Sequence, residues 1–247
     1  MKRQELTHYL EELLHPGDFE DYLPNGLQVE GREEVARVAL AVTASRYAVE
    51  RAVQMRADAL IVHHGWFWKS EPRTVTGVRA ARLRPLMAGD VNLFAYHLPL
   101  DAHPEIGNNS VLGRLLKARD ARPLKPGSLL WTGAIAPVSS DELAAGLEGL
   151  LGRKPLVVGP AQQGVERIAW CTGAAQDFLL EAADAGVQAY VSGEVSERTT
   201  HEAREAGVTY LACGHHATET LGIRALGDRL AAQLPLETFF IDEDNPV

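Results

Sequence analysis

The sequence predicts an α/β fold made of two related lobes with a functional site between them. Short apolar runs alternate with amphipathic stretches along the chain, which is the pattern of an α/β protein. A helix-and-strand unit recurs at an offset of 129 residues. A segment with two prolines and a glycine, residues 121–128, offers a boundary between the two copies.

Strands are expected where a short run of mostly apolar residues lies between turn signals. The runs of this kind are residues 37–44, 58–64, 91–98, 128–135, 155–159, 167–173, 189–194, 209–215 and 237–242. Helical patterns lie between them, for example at residues 45–57 and 139–152. The second of these opens on Ser139, with Asp141 and Glu142 close behind, as is typical of a helix N-terminus.

The internal repeat compares two units of similar length. Thr43 begins a helix-then-strand unit that reaches His63 twenty positions later, and Thr172 begins a similar unit that reaches Ser192 at the same spacing. Any βαβ unit of average length gives such a match, so duplication and coincidence both stay open at this point.

The boundary segment and the repeat together predict two domains. The first lobe is expected at residues 1–125, joined by a C-terminal segment of about residues 220–247 that returns to it. The second lobe is expected at residues 126–219.

Composition and charge exclude several classes of protein. The 247 residues are 46% hydrophobic and 23% charged, as in an ordinary globular protein. No apolar run is long enough to span a bilayer, and residues 1–15 lack the apolar core of a signal peptide. The chain has two cysteines, Cys171 and Cys213, which is too few for a disulfide framework. We therefore expect a cytoplasmic protein without a membrane partner. A net charge of −9 argues against broad, nonspecific nucleic-acid binding.

Side chains suited to a functional site follow the predicted strands at the point where each strand ends. They are the candidate metal ligands His63, His64, Asp101, His215 and Glu219, together with His97 and Glu194. Because functional groups in open α/β sheets gather beyond the carboxyl ends of the strands, we expect these side chains to form one site.

The spacing of these residues favours a dinuclear centre. If a helix begins after Gly214, His215 and Glu219 project from the same face one turn apart. Adjacent His63 and His64 diverge at a strand end, which suits two ions better than one. Asp101 and Glu219 each offer two oxygens that can bridge, and open positions would remain for water.

Ordinary structural roles compete with this interpretation. A histidine at a strand end is often merely structural, and Asp101 is also typical of a helix cap or a turn. Asn25 and Gly26 resemble a turn. Trp66, Phe67 and Trp68, directly after the paired histidines, are typical of packing around a site rather than of a platform for substrate.

Four motifs resemble one known family in their order and spacing. They are "NGLQVEG", "VHHGWFW", "YHLPLDAHPEIGNN" and "SGEVSERTTHEAREAGVTYLACGHHATE". Together they resemble the YbgI-type dinuclear-metal proteins, a family labelled GTP cyclohydrolase 1 type 2 homologue. The resemblance implies that His63, His64, Asp101, His215 and Glu219 bind two metal ions. It also implies a toroidal homohexamer of the short family form, without an inserted domain.

The most concrete functional hypothesis is a metal-dependent hydrolase of unknown substrate. Zinc, iron, manganese, cobalt and nickel all suit imidazole and carboxylate ligands, and we expect a small molecule or a nucleotide as the substrate. His97 is then a proton-transfer group or a support for the ligands, and Glu194 a candidate general base. The sequence offers no phosphate-binding glycine loop of the usual pattern to support GTP as substrate.

Two other hypotheses stay open from the sequence. One is a toroidal, DNA-repair-associated protein that binds single-stranded DNA in a basic lumen. Arg46, Arg51 and Arg198 would contribute to that lumen, and the metal would have a structural or regulatory role. Metal storage or delivery is the third hypothesis, and it requires ions that exchange readily.

Overall fold

The computed structural model describes residues 1–160 and 164–247. The α-helices are α1 Arg3–Leu14, α2 Arg46–Gln54, α3 Gly77–Ala88, α4 Leu98–Ala102, α5 Asn108–Leu115, α6 Ser140–Leu151, α7 Leu179–Asp184, α8 Glu197–Ala206 and α9 His215–Gln233. The strands are β1 Gly26–Val29, β2 Arg37–Thr43, β3 Ala59–His64, β4 Asn92–Ala95, β5 Arg119–Pro123, β6 Trp131–Ser139, β7 Leu156–Val158, β8 Gly164–Cys171, β9 Ala189–Ser192, β10 Thr209–Ala212 and β11 Glu237–Phe240.

The chain divides into two compact units. Unit 1 comprises Met1–Ile106 and Gly222–Asp244, and unit 2 comprises Gly107–Leu221 and Asn245–Val247. Each unit contains one β-sheet and two hydrophobic cores of its own.

Unit 1 is a five-stranded sheet covered by helices on both faces. Its strand order is β1-β4-β3-β2-β11, and all pairs are parallel except the edge pair of β1 with β4. Along β3, Ile61 packs into the core beside α1 and α9, whereas Leu60 and Val62 pack into the core beside α2 and α3. Burial on both faces explains why β3 reads as an unbroken apolar run.

Unit 2 is a six-stranded mixed sheet in the order β5-β6-β8-β9-β10-β7. Leu112 of α5 and Leu147 of α6 pack into the core that includes Trp170. Leu179 of α7 and Ala203 of α8 pack into the second core of this unit. The central strands β8, β9 and β10 are parallel, so their carboxyl ends lie at the same edge of the sheet.

The internal repeat is present in the register of the strands. In unit 1 the β2–β3 pair aligns Ala39 with Leu60, Leu40 with Ile61 and Ala41 with Val62. In unit 2 the β8–β9 pair aligns Ile168 with Ala189, Ala169 with Tyr190 and Trp170 with Val191. Each partner in the second set lies 129 residues after its counterpart in the first set.

The α/β fold predicted from the sequence is therefore confirmed, and all nine expected strands are present. Two strands escaped prediction, β1 and β5, and both lie at a sheet edge. β5 escaped because its sequence, "RDARP", is charged and mostly exposed, so it lacks the apolar run on which the prediction rests. Within residues 1–160 and 164–247, no helix has both the length and the apolar character needed to cross a membrane.

Candidate functional site

Unit 1 brings three histidines and a carboxylate together beyond the ends of β3 and β4. His63 and His64 are the last residues of β3, and His97 and Asp101 lie just after β4, at and within α4. The ring centroid of His63 lies 4.6 Å from that of His64 and 5.0 Å from that of His97. Each of the three histidines offers a ring nitrogen within 4.8 Å of the others, a spacing that can hold a metal ion.

Asp101 joins this group through His63. Its Oδ2 lies 3.6 Å from Nε2 of His63, and both side chains are buried. These four residues therefore lie together at one end of the unit 1 sheet, because parallel strands that end together bring their next residues together.

Backbone and hydroxyl groups hold the paired histidines through Nδ1. Nδ1 of His63 lies 3.0 Å from the carbonyl oxygen of Tyr96, and Nδ1 of His64 lies 3.2 Å from Oγ1 of Thr43. Because a carbonyl oxygen only accepts hydrogen bonds, Nδ1 of His63 carries the proton. The lone pair of that ring then lies on Nε2, the atom through which it can bind a metal.

Asp21, to which no pattern in the sequence pointed, holds His97 in place. Its Oδ1 accepts hydrogen bonds from Nδ1 of His97 at 2.7 Å and from the backbone N–H of Tyr22 at 2.6 Å. Its Oδ2 accepts from Nδ2 of Asn25 at 2.9 Å and from the backbone N–H of Leu98 at 3.0 Å. This buried carboxylate therefore fixes both the ring of His97 and the start of α4.

These contacts set the charge of Asp21. Burial raises the pKa of its carboxyl group, but the hydrogen bonds from His97 and Asn25 and the charge of His97 outweigh burial and lower the pKa to about 2. Asp21 is thus a carboxylate at neutral pH.

The turn expected at Asn25 and Gly26 is absent, because Gly26 is the first residue of β1; the side chain of Asn25 instead contacts the His97 segment. Its Oδ1 accepts the backbone N–H of His97 at 2.8 Å, while its amide nitrogen donates to Asp21. One signal in the sequence pointed to it, since Asn25 opens the "NGLQVEG" motif.

Unit 2 brings His215, Glu219 and Glu194 together. His215 and Glu219 lie one turn apart at the start of α9, as their spacing predicted, and Nε2 of His215 is 3.0 Å from Oε2 of Glu219. Nδ1 of His215 is 2.7 Å from Oε1 of Glu194, which follows β9. Burial lowers the pKa of His215, but the hydrogen bonds and negative charges of Glu219 and Glu194 outweigh it and raise the pKa to about 9.

Gly173 leaves room for the Glu219 carboxylate. Its φ is +72°, and a Cβ at this position would lie 2.2 Å from Oε1 of Glu219 and 3.4 Å from Nε2 of His215. Its backbone N–H is a hydrogen-bond donor to Oγ1 of Thr218. A glycine is required here by both the backbone conformation and the close approach.

The arginines considered for DNA binding have partners on their own surfaces. Arg46 pairs with Glu50 at 2.7 Å, and Arg51 donates to Gln54. Arg198 forms an ion pair with Asp177 in unit 2. These contacts are those of solvated helix faces, and they do not favour a nucleic-acid role.

Sequence and structure comparisons identify relatives that match the whole chain. The family model Duf34/NIF3 (NGG1p interacting factor 3) matches residues 1–246. A Salmonella typhimurium protein named "GTP cyclohydrolase 1 type 2 homolog" is 48% identical over 250 residues, covering 100% of each chain. A solved structure described as protein ybgI, of unknown function, is 48% identical with a TM-score of 0.95, and one from Thermus thermophilus is 36% identical with a TM-score of 0.93; both comparisons cover 100% of each chain.

Proposed function

Since the chain belongs to the Duf34/NIF3 family, we propose that it binds two divalent transition metal ions and uses them to catalyse a hydrolysis. The proposed metal ligands are His63, His64, Asp101, His215 and Glu219.

One observation carries the metal proposal: a protein group engages Nδ1 of every histidine in the two groups. The partners are the Tyr96 carbonyl for His63, the Thr43 hydroxyl for His64, Asp21 for His97 and Glu194 for His215. Histidines that bind metals are oriented in this way, through a hydrogen bond at the other ring nitrogen. Histidines that only pack in a core do not each require a hydrogen-bond partner at Nδ1.

Glu194 and His97 receive different roles from their contacts. Glu194 is engaged with Nδ1 of His215, so we assign it to positioning that ring rather than to acting as the general base. His97 has a buried carboxylate at Nδ1 and the rings of His63 and His64 beside it, so it is placed to accept and return a proton at Nε2.

The donor set fits several metals. Three imidazoles and two carboxylates suit zinc, iron, manganese, cobalt or nickel. When bound, such ions polarise a substrate oxygen and make water a better nucleophile at neutral pH. The chain supplies the rest, since Asp21 fixes His97 for proton transfer and Glu194 fixes His215.

The reaction class is tested by a screen of metal-loaded protein against phosphoesters, amides and cyclic C–N bonds. GTP belongs in the screen because the relatives carry the name GTP cyclohydrolase 1 type 2 homolog. With a substrate found, His97→Gln should retain its metal and lose about a hundredfold or more in rate. The exposed His201 provides the control, and His201→Gln should match the wild type.

Two results would contradict the proposal. Absence of turnover on every substrate class with each of the five metals would overturn the hydrolase. A His97→Gln variant with full activity would overturn the proton-transfer role alone.

The resemblance to YbgI-type proteins also implies a homohexamer, which we retain as part of the proposal. Sedimentation equilibrium should give six chain masses at micromolar concentration. A particle of one chain mass would contradict it.

A further inference from the structure

A cavity of about 400 Å³ lies in unit 1 beside the histidine group. It is formed by the loop that follows β3 and by the first half of α3. Trp68 connects it to the histidines, because its ring lines the cavity and has its centroid 5.9 Å from that of His64 and 5.2 Å from that of His97. A volume of this size is typical of a site for a small organic molecule.

The cavity wall carries an excess of positive charge. Its cations are Lys69, Arg73, Arg79 and Arg82. The carboxylate among the lining residues is that of Glu71, which pairs with Arg79 at 2.6 Å. Such a wall attracts an anion, and guanidinium groups match the oxygens of a phosphate especially well.

Arg82 has hydrogen-bonding capacity that the described part of the chain does not use. Its Nε is buried and has no hydrogen-bond partner among residues 1–160 and 164–247. A buried donor without an acceptor is costly, so the described contacts do not account for the position of this guanidinium. Arg82 lines the cavity, and a guanidinium has further N–H donors that an anion in the cavity could accept.

Phe67 has a backbone conformation that is unfavourable for a bulky residue, and its apolar side chain is exposed to solvent. Its φ is +66°, and among the described residues it is the one apolar side chain with a positive φ, the others being His15, Arg56, Asp90, Lys117 and Asp120. Its side chain also remains 45% exposed, contrary to the packing role expected for it. Strain in a bulky residue of this kind is typical of functional loops, where it presents a side chain to a ligand.

We propose that this cavity is the substrate pocket, and that it binds a planar aromatic compound carrying a phosphate group. The ring lies against Phe67 and Trp68, and the phosphate lies against Arg82 and Arg73. Aromatic faces supply the stacking surface, and the guanidinium groups supply the charge. The assignment of the pocket to substrate rests on the proposed hydrolase function, whereas the binding chemistry rests on the cavity itself.

Isothermal titration calorimetry of the metal-loaded protein with 1-naphthylphosphonate tests the pocket. This probe joins a flat ring to a dianionic group through a P–C bond that hydrolysis does not cleave. It should bind more tightly than 1-naphthol, which has the ring alone, and more tightly than inorganic phosphate, which has the charge alone.

Two variants test the assigned contacts. Arg82→Gln should weaken binding of 1-naphthylphosphonate about tenfold or more, because a charge-assisted hydrogen bond is lost. Arg84→Gln is the matched control, since Arg84 lies on the same helix but outside the cavity lining, and its affinity should equal that of the wild type.

Phe67→Asn separates binding from folding. Asparagine tolerates a positive φ, so the melting temperature should stay the same or rise while the affinity for 1-naphthylphosphonate falls. A fall in melting temperature with unchanged affinity would mean that Phe67 is a packing residue and would overturn its role.

Metal analysis of the same samples separates the two proposals. If the protein holds metal and Arg82→Gln binds the probe as tightly as the wild type does, the pocket is overturned and the metal centre stands. If the protein holds no metal but binding still depends on Arg82, the aromatic-phosphate site stands and the hydrolase is overturned.

Discussion

Replacing Asp21 with asparagine removes the carboxylate that organises His97. The native side chain accepts four hydrogen bonds, two at each oxygen. Asparagine retains one accepting oxygen and presents an NH₂ group in place of the other. Two of the four donors then face another donor within a buried site.

The expected cost follows from those two lost bonds. A hydrogen bond to a charged acceptor contributes about 1.5–3 kcal/mol, and the abandoned donors are buried. We therefore expect Asp21→Asn to lower the free energy of unfolding by about 3–5 kcal/mol. Since a typical domain is stable by about 5–15 kcal/mol, the variant should still fold at room temperature.

Urea unfolding at pH 7, followed by circular dichroism, measures this loss of unfolding free energy in proteins from which a chelator has removed any metal. Asp18→Asn is the matched control, because Asp18 is an exposed aspartate three residues away, and its unfolding free energy should stay within about 0.5 kcal/mol of the wild type. If Asp21→Asn were equally harmless, the carboxylate would not organise His97, and the reasoning from its contacts would be refuted.

Three further predictions follow from the structure. The folded-state pKa of Asp21, about 2, lies below its ordinary value of 3.8, so the ionised form stabilises the fold above about pH 4. The free energy of unfolding should therefore fall by roughly 2 kcal/mol as the pH falls to 2. Urea titrations at each pH measure this loss, which should be absent in Asp21→Asn. In the metal-free protein, Glu194→Gln should lower the pKa of His215 from about 9, and an NMR titration that finds no change would contradict the assigned contact. Gly173→Ala should lower the free energy of unfolding by about 2–4 kcal/mol, because its φ is positive and a Cβ would clash with the carboxylate beside it. Gly146→Ala, in open space within α6, should raise the free energy of unfolding by about 0.5–1 kcal/mol. Equal melting temperatures for the two variants would contradict this.

Local patterns in the sequence predicted the sheets and the positions of the candidate ligands. Apolar runs identify buried strands, and the carboxyl ends of parallel strands meet at one edge, so His63 and His97 could be placed together without a structure. The offset of 129 residues was ambiguous in the sequence and is unambiguous in the strand register.

Contacts between distant segments could not be predicted in the same way. Asp21 lies 76 residues before His97, in a loop whose aspartate and asparagine are typical of ordinary turns. The side chain of Phe67 was expected to pack, because apolar character indicates burial and gives no indication of backbone strain. Such features depend on tertiary structure rather than on local propensity.

Metal content measured by elemental analysis tests the central claim most directly. The wild type and the control His201→Ala should each hold about two equivalents of transition metal per chain, and the double variant His64→Ala/Glu219→Ala should lose it while keeping its circular dichroism spectrum. A wild-type protein that holds no metal, even after incubation with zinc, manganese and iron(II), would contradict the account.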